Sequence, residues 1–172
     1  MQITRYLVWI AIMVVALPIW AEEPAETSSE SDIGYKGWGL RVGLTTDPDQ
    51  IVGGVQFNFG EFTRNLRFQP DVQLGLGDDA TTLFVNAPVY YRWYDAHADF
   101  TPYAGGGIAL GFIDRDLPPT SSGDDTSFEI GGRATGGLEW SRSAGGTFAV
   151  ELSLGFGDIH DAQVVALWNF GK

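Results

Sequence analysis

Residues 148–156 read FAVELSLGF, and the alternation within this stretch decides the fold. Its large apolar side chains fall at every second position, and the positions between them hold Ala149, Glu151, Ser153 and Gly155. A period of two places successive side chains on opposite faces of an extended chain, whereas a helix repeats every 3.6 residues. The stretch is therefore predicted to form a β-strand with one apolar face and one face of small and polar residues.

The same alternation recurs seven more times between residue 35 and the C-terminus, with turn-rich pieces between the segments. Strands of about 8 to 14 residues with short connections form an antiparallel meander, and closing it removes the exposed edges. The predicted fold over residues 35–172 is all-β, an eight-stranded antiparallel up-and-down barrel. Pro70, Pro88 and Pro102 each remove one hydrogen-bond donor from its ladders. The predicted strands are 36–44, 51–59, 66–77, 82–94, 100–113, 128–140, 148–156 and 163–170.

Residues 1–21 show the succession of charged, apolar and small-residue regions that is typical of a secretory signal peptide. A segment with Arg5 precedes the apolar run YLVWIAIMVVALPIW at 6–20, and Ala21 follows it. The run is shorter than the roughly 18 residues that a spanning helix needs, so we expect cleavage after Ala21, with an uncleaved anchor as the alternative. Residues 22–34 are predicted to be a disordered acidic leader, because they hold little apolar surface to bury.

The charge balance excludes several classes of protein. Acids outnumber bases 22 to 10 and no basic patch occurs, which disfavours nucleic-acid binding. The chain has no Cys, so a disulfide scaffold and a Cys-ligated metal site are excluded. Without Arg5 the mature chain has 9 basic against 22 acidic residues, a charge of −13.

Two barrels fit the alternation: a soluble lipocalin-like barrel with its apolar face inward, and a transmembrane barrel with that face outward. The polar face is rich in Gly, Gln, Asn and Ser, which suits a narrow barrel interior better than a surface in water. Its charges also balance, as buried charges must. We therefore predict a transmembrane barrel whose lumen holds the charge network Arg41, Arg67, Asp71, Arg92, Glu129, Arg133, Glu139 and Glu151.

The positions of large aromatic side chains also favour a transmembrane barrel. If the N-terminus is periplasmic, one aromatic residue per strand falls at the periplasmic interface, where a girdle of amphipathic rings is expected. The predicted girdle is Trp38, Phe59, Phe68, Trp93, Phe100, Trp140, Phe148 and Phe170.

Three further segments carry a family resemblance: TPYAGGG at 101–107, GGLEW at 136–140 and WNF at 168–170. With them, essentially the whole mature chain resembles the small outer-membrane β-barrel proteins of Gram-negative bacteria, the OmpA/OmpX/opacity type with a porin-like barrel domain. The resemblance implies contact with outer-membrane lipid and lipopolysaccharide, and insertion by the outer-membrane assembly machinery. Members usually end on the aromatic residue, whereas Gly171 and Lys172 follow Phe170 here.

The predicted extracellular connections carry pairs of aspartates. Turn formation alone favours Asp, and the functional hypothesis is an acidic rim that binds Ca²⁺ or Mg²⁺ and bridges to lipopolysaccharide phosphates. No other cofactor is expected. The rim residues are Asp47, Asp49, Asp78, Asp79, Asp114, Asp116, Asp124, Asp125, Asp158 and Asp161.

The sequence offers few candidate catalytic side chains. It has two histidines, His97 and His160, and both lie in predicted connections. A lipid A deacylase or acyltransferase needs a serine, a histidine and a carboxylate within mutual reach. We expect a non-enzymatic protein and keep a lipid-A-modifying enzyme as the alternative. Its candidate residues are His160, Asp158, Asp161, Ser121, Ser122 and Ser153.

A diffusion pore is also disfavoured, because eight strands leave no wide channel. The inward Phe84, Tyr90, Tyr94 and Tyr103 and the paired charges are predicted to plug the lumen. The sequence thus predicts a plugged integral outer-membrane protein with a structural or envelope-maintaining role. A soluble periplasmic lipocalin-like ligand carrier is the third hypothesis, after the structural protein and the lipid-A-modifying enzyme.

Overall fold

The computed structural model of the chain describes residues 31–78, 80–95, 97–115, 126–143, 145–159 and 161–171. The predicted signal peptide at 1–21 and residues 22–30 of the predicted leader lie outside these ranges. No helix within the described ranges is long and apolar enough to cross a bilayer. The strands found there are β1 (Asp32–Thr46), β2 (Gln50–Thr63), β3 (Leu66–Phe68), β4 (Asp71–Leu76), β5 (Ala80–Arg92), β6 (Phe100–Arg115), β7 (Thr126–Ser141), β8 (Thr147–Gly157) and β9 (Ala162–Gly171).

Each strand runs antiparallel to its neighbours, and β1 pairs with β9, which closes the sheet. β3 and β4 share one position between β2 and β5, so the described strands form a ring of eight. The predicted eight-stranded up-and-down barrel is confirmed. Asp32 and Gly171 lie at the same end of the barrel, here named the termini end. The ends of β1, β4, β6 and β8 at Thr46, Leu76, Arg115 and Gly157 lie at the opposite end, here named the loop end.

The predicted strand 66–77 is interrupted at Gln69 and Pro70. Against β5 its two parts stay in one register, from Arg67↔Tyr90 to Asp71↔Asn86. Against β2 the register moves by one residue, because β2 is irregular near Glu61. Pro88 and Pro102, by contrast, remain inside the paired strands β5 and β6. A proline is therefore tolerated within this barrel, and it ends a strand where the neighbouring strand is also irregular.

β1 begins at Asp32, four residues before the predicted strand and inside the predicted leader. Asp32 pairs with Glu61 and Ile33 with Gly60, and a register shift follows between Ile33 and Gly37. Gly37 adopts a φ of 147° and Gly60 a φ of 82°, conformations that a side chain would disfavour. These two glycines allow β1 and β2 to continue beyond the end of β9.

Burial alternates along the strands in the sense opposite to that of a soluble barrel. In β5, the inward Thr82, Phe84 and Asn86 are 0%, 3% and 3% exposed, whereas the outward Leu83 and Val85 are both 39% exposed. The same contrast holds around the ring, because the buried set is dominated by Arg, Gln, Asp, Glu and Thr. An apolar outer wall around a polar interior defines a transmembrane barrel and contradicts the lipocalin-like reading, which needs an apolar interior.

Inward aromatic side chains lie over glycines of the neighbouring strand. A Cβ on Gly137 would approach the ring of Tyr103 to 2.6 Å, and one on Gly111 would approach the ring of Phe84 to 2.8 Å. The abundant glycine on the inner face therefore makes room for large rings that fill the narrow lumen.

Candidate functional site

Charged side chains fill the lumen in three clusters, and the first, named the central cluster, joins Arg41 to two carboxylates. Arg41 Nη2 lies 2.5 Å from Glu151 Oε2, and Arg41 Nη1 donates to Gln56 Oε1 at 2.8 Å. The Tyr103 hydroxyl donates to Glu151 Oε1 at 2.8 Å. Asp71 Oδ2 lies farther from Arg41 Nη1, at 3.7 Å. Because Arg41, Asp71 and Glu151 are at most 3% exposed, each is desolvated and depends on these partners.

The second cluster, at the termini end, contains two arginines and two glutamates. Arg92 pairs with Glu139, and Arg67 Nη1 lies 3.5 Å from Glu139 Oε2. Both guanidinium groups also lie 3.6 Å from Glu61 Oε1. The Tyr94 hydroxyl donates to the same oxygen at 2.7 Å. The cluster is therefore neutral and connected across β2, β3, β5 and β7.

The third cluster, at the loop end, is built on Arg133 of β7. Arg133 Nη2 lies 2.7 and 3.0 Å from the two carboxylate oxygens of Asp161, and Nη1 donates to Gln163 Oε1 at 2.9 Å. Thr45 donates to Asp161 Oδ2 at 3.1 Å. This ion pair fixes the connection between β8 and β9 to the inner wall.

The β8–β9 connection also carries an apolar residue into the barrel. Ile159 is 2% exposed and packs in a buried cluster with Phe84 and Ala109. The Arg133 guanidinium lies over the Phe84 ring at 5.1 Å. Ile159 and the Arg133–Asp161 pair together close the lumen toward the loop end.

Seven of the eight predicted lumen charges lie in these clusters, and the eighth, Glu129, is 3.2 Å from Arg115 Nη2 at the loop end. Three ion-pair partners were not among the predicted lumen charges: Glu61, Arg115 and Asp161. Arg115 and Asp161 each lie one inward step beyond the predicted strands 100–113 and 163–170, so a longer alternation would have found them. By its position in β2, Glu61 is expected to face outward. It contacts the lumen arginines because the backbone is irregular at Gly60.

Aromatic rings form a band around the termini end, where the girdle was predicted. Trp38 packs on Phe170 at 5.1 Å between ring centroids, across the β1–β9 pair. Trp140 lies between Phe100 at 6.3 Å and Phe148 at 6.0 Å. The remaining predicted members, Phe59, Phe68 and Trp93, extend the band together with Tyr35, Tyr91 and Trp168.

The predicted acidic rim is only partly within the described residues, since Asp79, Asp116, Asp124 and Asp125 lie outside them. Asp161 does not belong to an open rim, because it is 7% exposed and bound to Arg133. No group of three or more His, Asp or Glu side chains is placed to hold a metal within the described ranges. The described rim residues that are exposed are Asp47, Asp49, Asp78, Asp114 and Asp158.

The described residues do not assemble the serine–histidine–carboxylate set considered from the sequence. Ser153 is 1% exposed and shares a 2.8 Å hydrogen bond with Thr135 inside the lumen. Asp161 is held by Arg133. His97 is exposed and lies 3.5 Å from Asp95. The other candidates, His160, Ser121 and Ser122, lie outside the described residues.

Aromatic side chains occupy the lumen between its two ends. Of the predicted plugging rings, Phe84, Tyr90 and Tyr103 are at most 6% exposed, whereas Tyr94 is 49% exposed at the termini end. Beside the central cluster lies a cavity of about 10 Å³, which has room for about one water molecule.

The outward apolar wall, the aromatic band and the polar lumen define an eight-stranded transmembrane β-barrel. Among solved structures, Neisserial surface protein A is similar, with 14% identity, a TM-score of 0.62, and coverage of 80% of this chain and 96% of that chain. The N-terminal β-barrel domain of Pseudomonas aeruginosa OprF has 13% identity and a TM-score of 0.60, over 80% of this chain and 99% of that domain. The outer membrane enzyme PagL has 11% identity and a TM-score of 0.50, over 78% and 99% of the two chains. At these identities the likeness shows the shared fold, and no protein-family model or curated protein matches the chain.

Proposed function

We propose that this protein is an integral protein of a Gram-negative outer membrane, of the OmpA/OmpX/opacity type, with a sealed lumen and a structural or envelope-maintaining role. The observation that carries the proposal is the inverted burial: apolar side chains cover the outer wall while ion pairs occupy the interior. Such a wall is stable only against lipid hydrocarbon. The signal-peptide pattern at 1–21 and the fold shared with outer-membrane barrels support this location.

A non-enzymatic role is favoured by the way the polar side chains are used. Within the described ranges, the lumen carboxylates are engaged with arginines, amides or hydroxyls, and the lumen serine Ser153 is bonded to Thr135. These groups hold the wall strands together. They are not arranged as an exposed nucleophile with its base, which acyl transfer would require.

The orientation of the barrel follows from the aromatic band. We place the termini end at the periplasmic interface and the loop end outside, where the exposed Asp47, Asp49, Asp78, Asp114 and Asp158 would face lipopolysaccharide. Binding of Ca²⁺ or Mg²⁺ at this rim stays a prediction, and it now excludes Asp161. In this orientation the β8–β9 connection seals the extracellular mouth.

Planar bilayer recording tests the sealed lumen. The folded full chain is expected to give little or no steady single-channel conductance, because the buried ion pairs and rings fill the cross-section. A porin of about 16 strands, recorded in the same bilayer, supplies the positive control. Folding is verified beforehand by heat-modifiable gel migration. Large ohmic steps from the folded protein would contradict the proposal.

A further inference from the structure

The described lumen contains one more carboxylate than it contains guanidinium groups. Arg67 and Arg92 are balanced by Glu61 and Glu139, and Arg133 is balanced by Asp161. In the central cluster, Arg41 is the one arginine that compensates the charges of two carboxylates, Asp71 and Glu151. Arg41 is 2.5 Å from Glu151 but 3.7 Å from Asp71, so Asp71 is the acid whose charge is least compensated. A net charge buried at 2% exposure is costly unless something nearby offsets it.

The amide side chains of Gln73 and Asn86 are hydrogen-bonded to Asp71. Gln73 Nε2 and Asn86 Nδ2 both donate to Asp71 Oδ1, at 2.6 and 2.7 Å. An ionised carboxylate only accepts hydrogen bonds, so the amide nitrogens, and not the amide oxygens, face Asp71 Oδ1. Gln73 Oε1 and Asn86 Oδ1 are buried and have no hydrogen-bond partner among the described residues. Within the described ranges, both oxygens therefore lack a hydrogen-bond donor.

These residues line one cavity. Asp71, Gln73 and Asn86 border the space of about 10 Å³, together with Tyr90 and Thr135. Arg41 and Arg133 also border it, but their charges are taken up by Glu151 at 2.5 Å and Asp161 at 2.7 Å. The cavity thus has the size of one water molecule, is lined by oxygen atoms that can act as metal ligands, and carries an excess of one negative charge.

We propose that the lumen binds one dehydrated monovalent cation of the size of Na⁺, held by the carboxylate of Asp71 and the amide oxygens of Gln73 and Asn86. Hard cations prefer carboxylate and amide oxygens as ligands. A single unbalanced charge selects a monovalent ion over a divalent one, because Ca²⁺ would leave an excess positive charge in the same buried space. This site is separate from the predicted acidic rim and does not depend on it.

Thermal unfolding of the full chain in zwitterionic detergent tests the site, with NaCl compared with N-methyl-D-glucamine chloride at equal ionic strength. A ligand that binds only the folded state raises Tm, and we expect Na⁺ at about ten times its dissociation constant to raise Tm by on the order of 4 °C. Asp71→Asn removes the excess charge and leaves Arg41 paired with Glu151. In this variant Na⁺ and N-methyl-D-glucamine are expected to give the same Tm.

Asp47→Asn is the matched control, because it removes an exposed acid at the loop end and should keep the full Na⁺ effect. A Ca²⁺ titration in the same detergent reports on the rim separately. A crystal structure grown in NaCl provides a second measurement, since a bound Na⁺ has shorter oxygen distances than a hydrogen-bonded water, and it decides the question if Asp71→Asn does not fold. Equal Tm values for the wild-type chain in the two salts, or a water only in the cavity, would overturn the proposal.

Discussion

Arg41→Met is expected to lower the free energy of unfolding by about 3–5 kcal/mol, the largest effect of any single substitution in the lumen. The methionine keeps the apolar stem but removes the charge that compensates Glu151 and Asp71. Both carboxylates are 2% exposed, so neither can turn to water. Reversible urea unfolding in detergent measures the change, followed by the fluorescence of the four tryptophans beyond residue 21, Trp38, Trp93, Trp140 and Trp168.

Glu151→Gln is the matched control for this substitution. It is expected to cost less, about 1–2 kcal/mol, because Arg41 keeps Asp71 as a partner and glutamine still accepts a hydrogen bond. The order of the two variants follows from the excess of acid in the central cluster. A larger loss for Glu151→Gln than for Arg41→Met would contradict the assignment of charges in this cluster.

Leu152→Arg is expected to lower the free energy of unfolding by about 2–4 kcal/mol when the protein is folded into lipid vesicles. Leu152 is outward on β8 and 40% exposed, midway between Phe148 at the aromatic band and Phe156 near the loop end. A guanidinium at this depth must enter hydrocarbon or distort the bilayer. On a protein in water the same exposed position would tolerate arginine within about 0.5 kcal/mol.

Thr46→Arg provides the comparison at the loop end. Thr46 is exposed at the last position of β1, beyond the apolar part of the wall. Arginine there is expected to change stability by less than about 1 kcal/mol, since the penalty falls toward the interface. Equal losses for Leu152→Arg and Thr46→Arg would show that depth in a bilayer does not determine the cost.

The alternation of side chains was sufficient to predict the strands and their faces. Outward residues such as Leu44 and Ile108 are exposed, and inward charges such as Arg41 and Asp71 are buried, as parity requires. Parity is a local property of an extended chain, so it can be read from neighbouring residues alone. It also would have assigned Arg115 and Asp161 to the inward face, had the predicted strands been extended by one more step.

Features that depend on two strands at once could not be predicted in the same way. The break at Pro70 coincides with the register shift of β2 against β3 and β4, whereas Pro88 causes no break because β5 and β6 stay in register. Glu61 reaches the lumen only because β2 is irregular at Gly60. The inward placement of Ile159 likewise depends on contacts with Phe84 and Ala109, which lie on other strands.

Contact between the outer wall and lipid is tested by a single cysteine in place of Leu152, which is outward on β8. The chain has no Cys, so Leu152→Cys can be labelled at one position with an environment-sensitive fluorophore and folded into vesicles. Asp47→Cys, exposed at the loop end, is the control for a label in water. We predict that the label at 152 emits as in hydrocarbon and is quenched by brominated lipid chains but not by aqueous iodide. Emission typical of water at 152, with quenching by iodide, would contradict the transmembrane barrel.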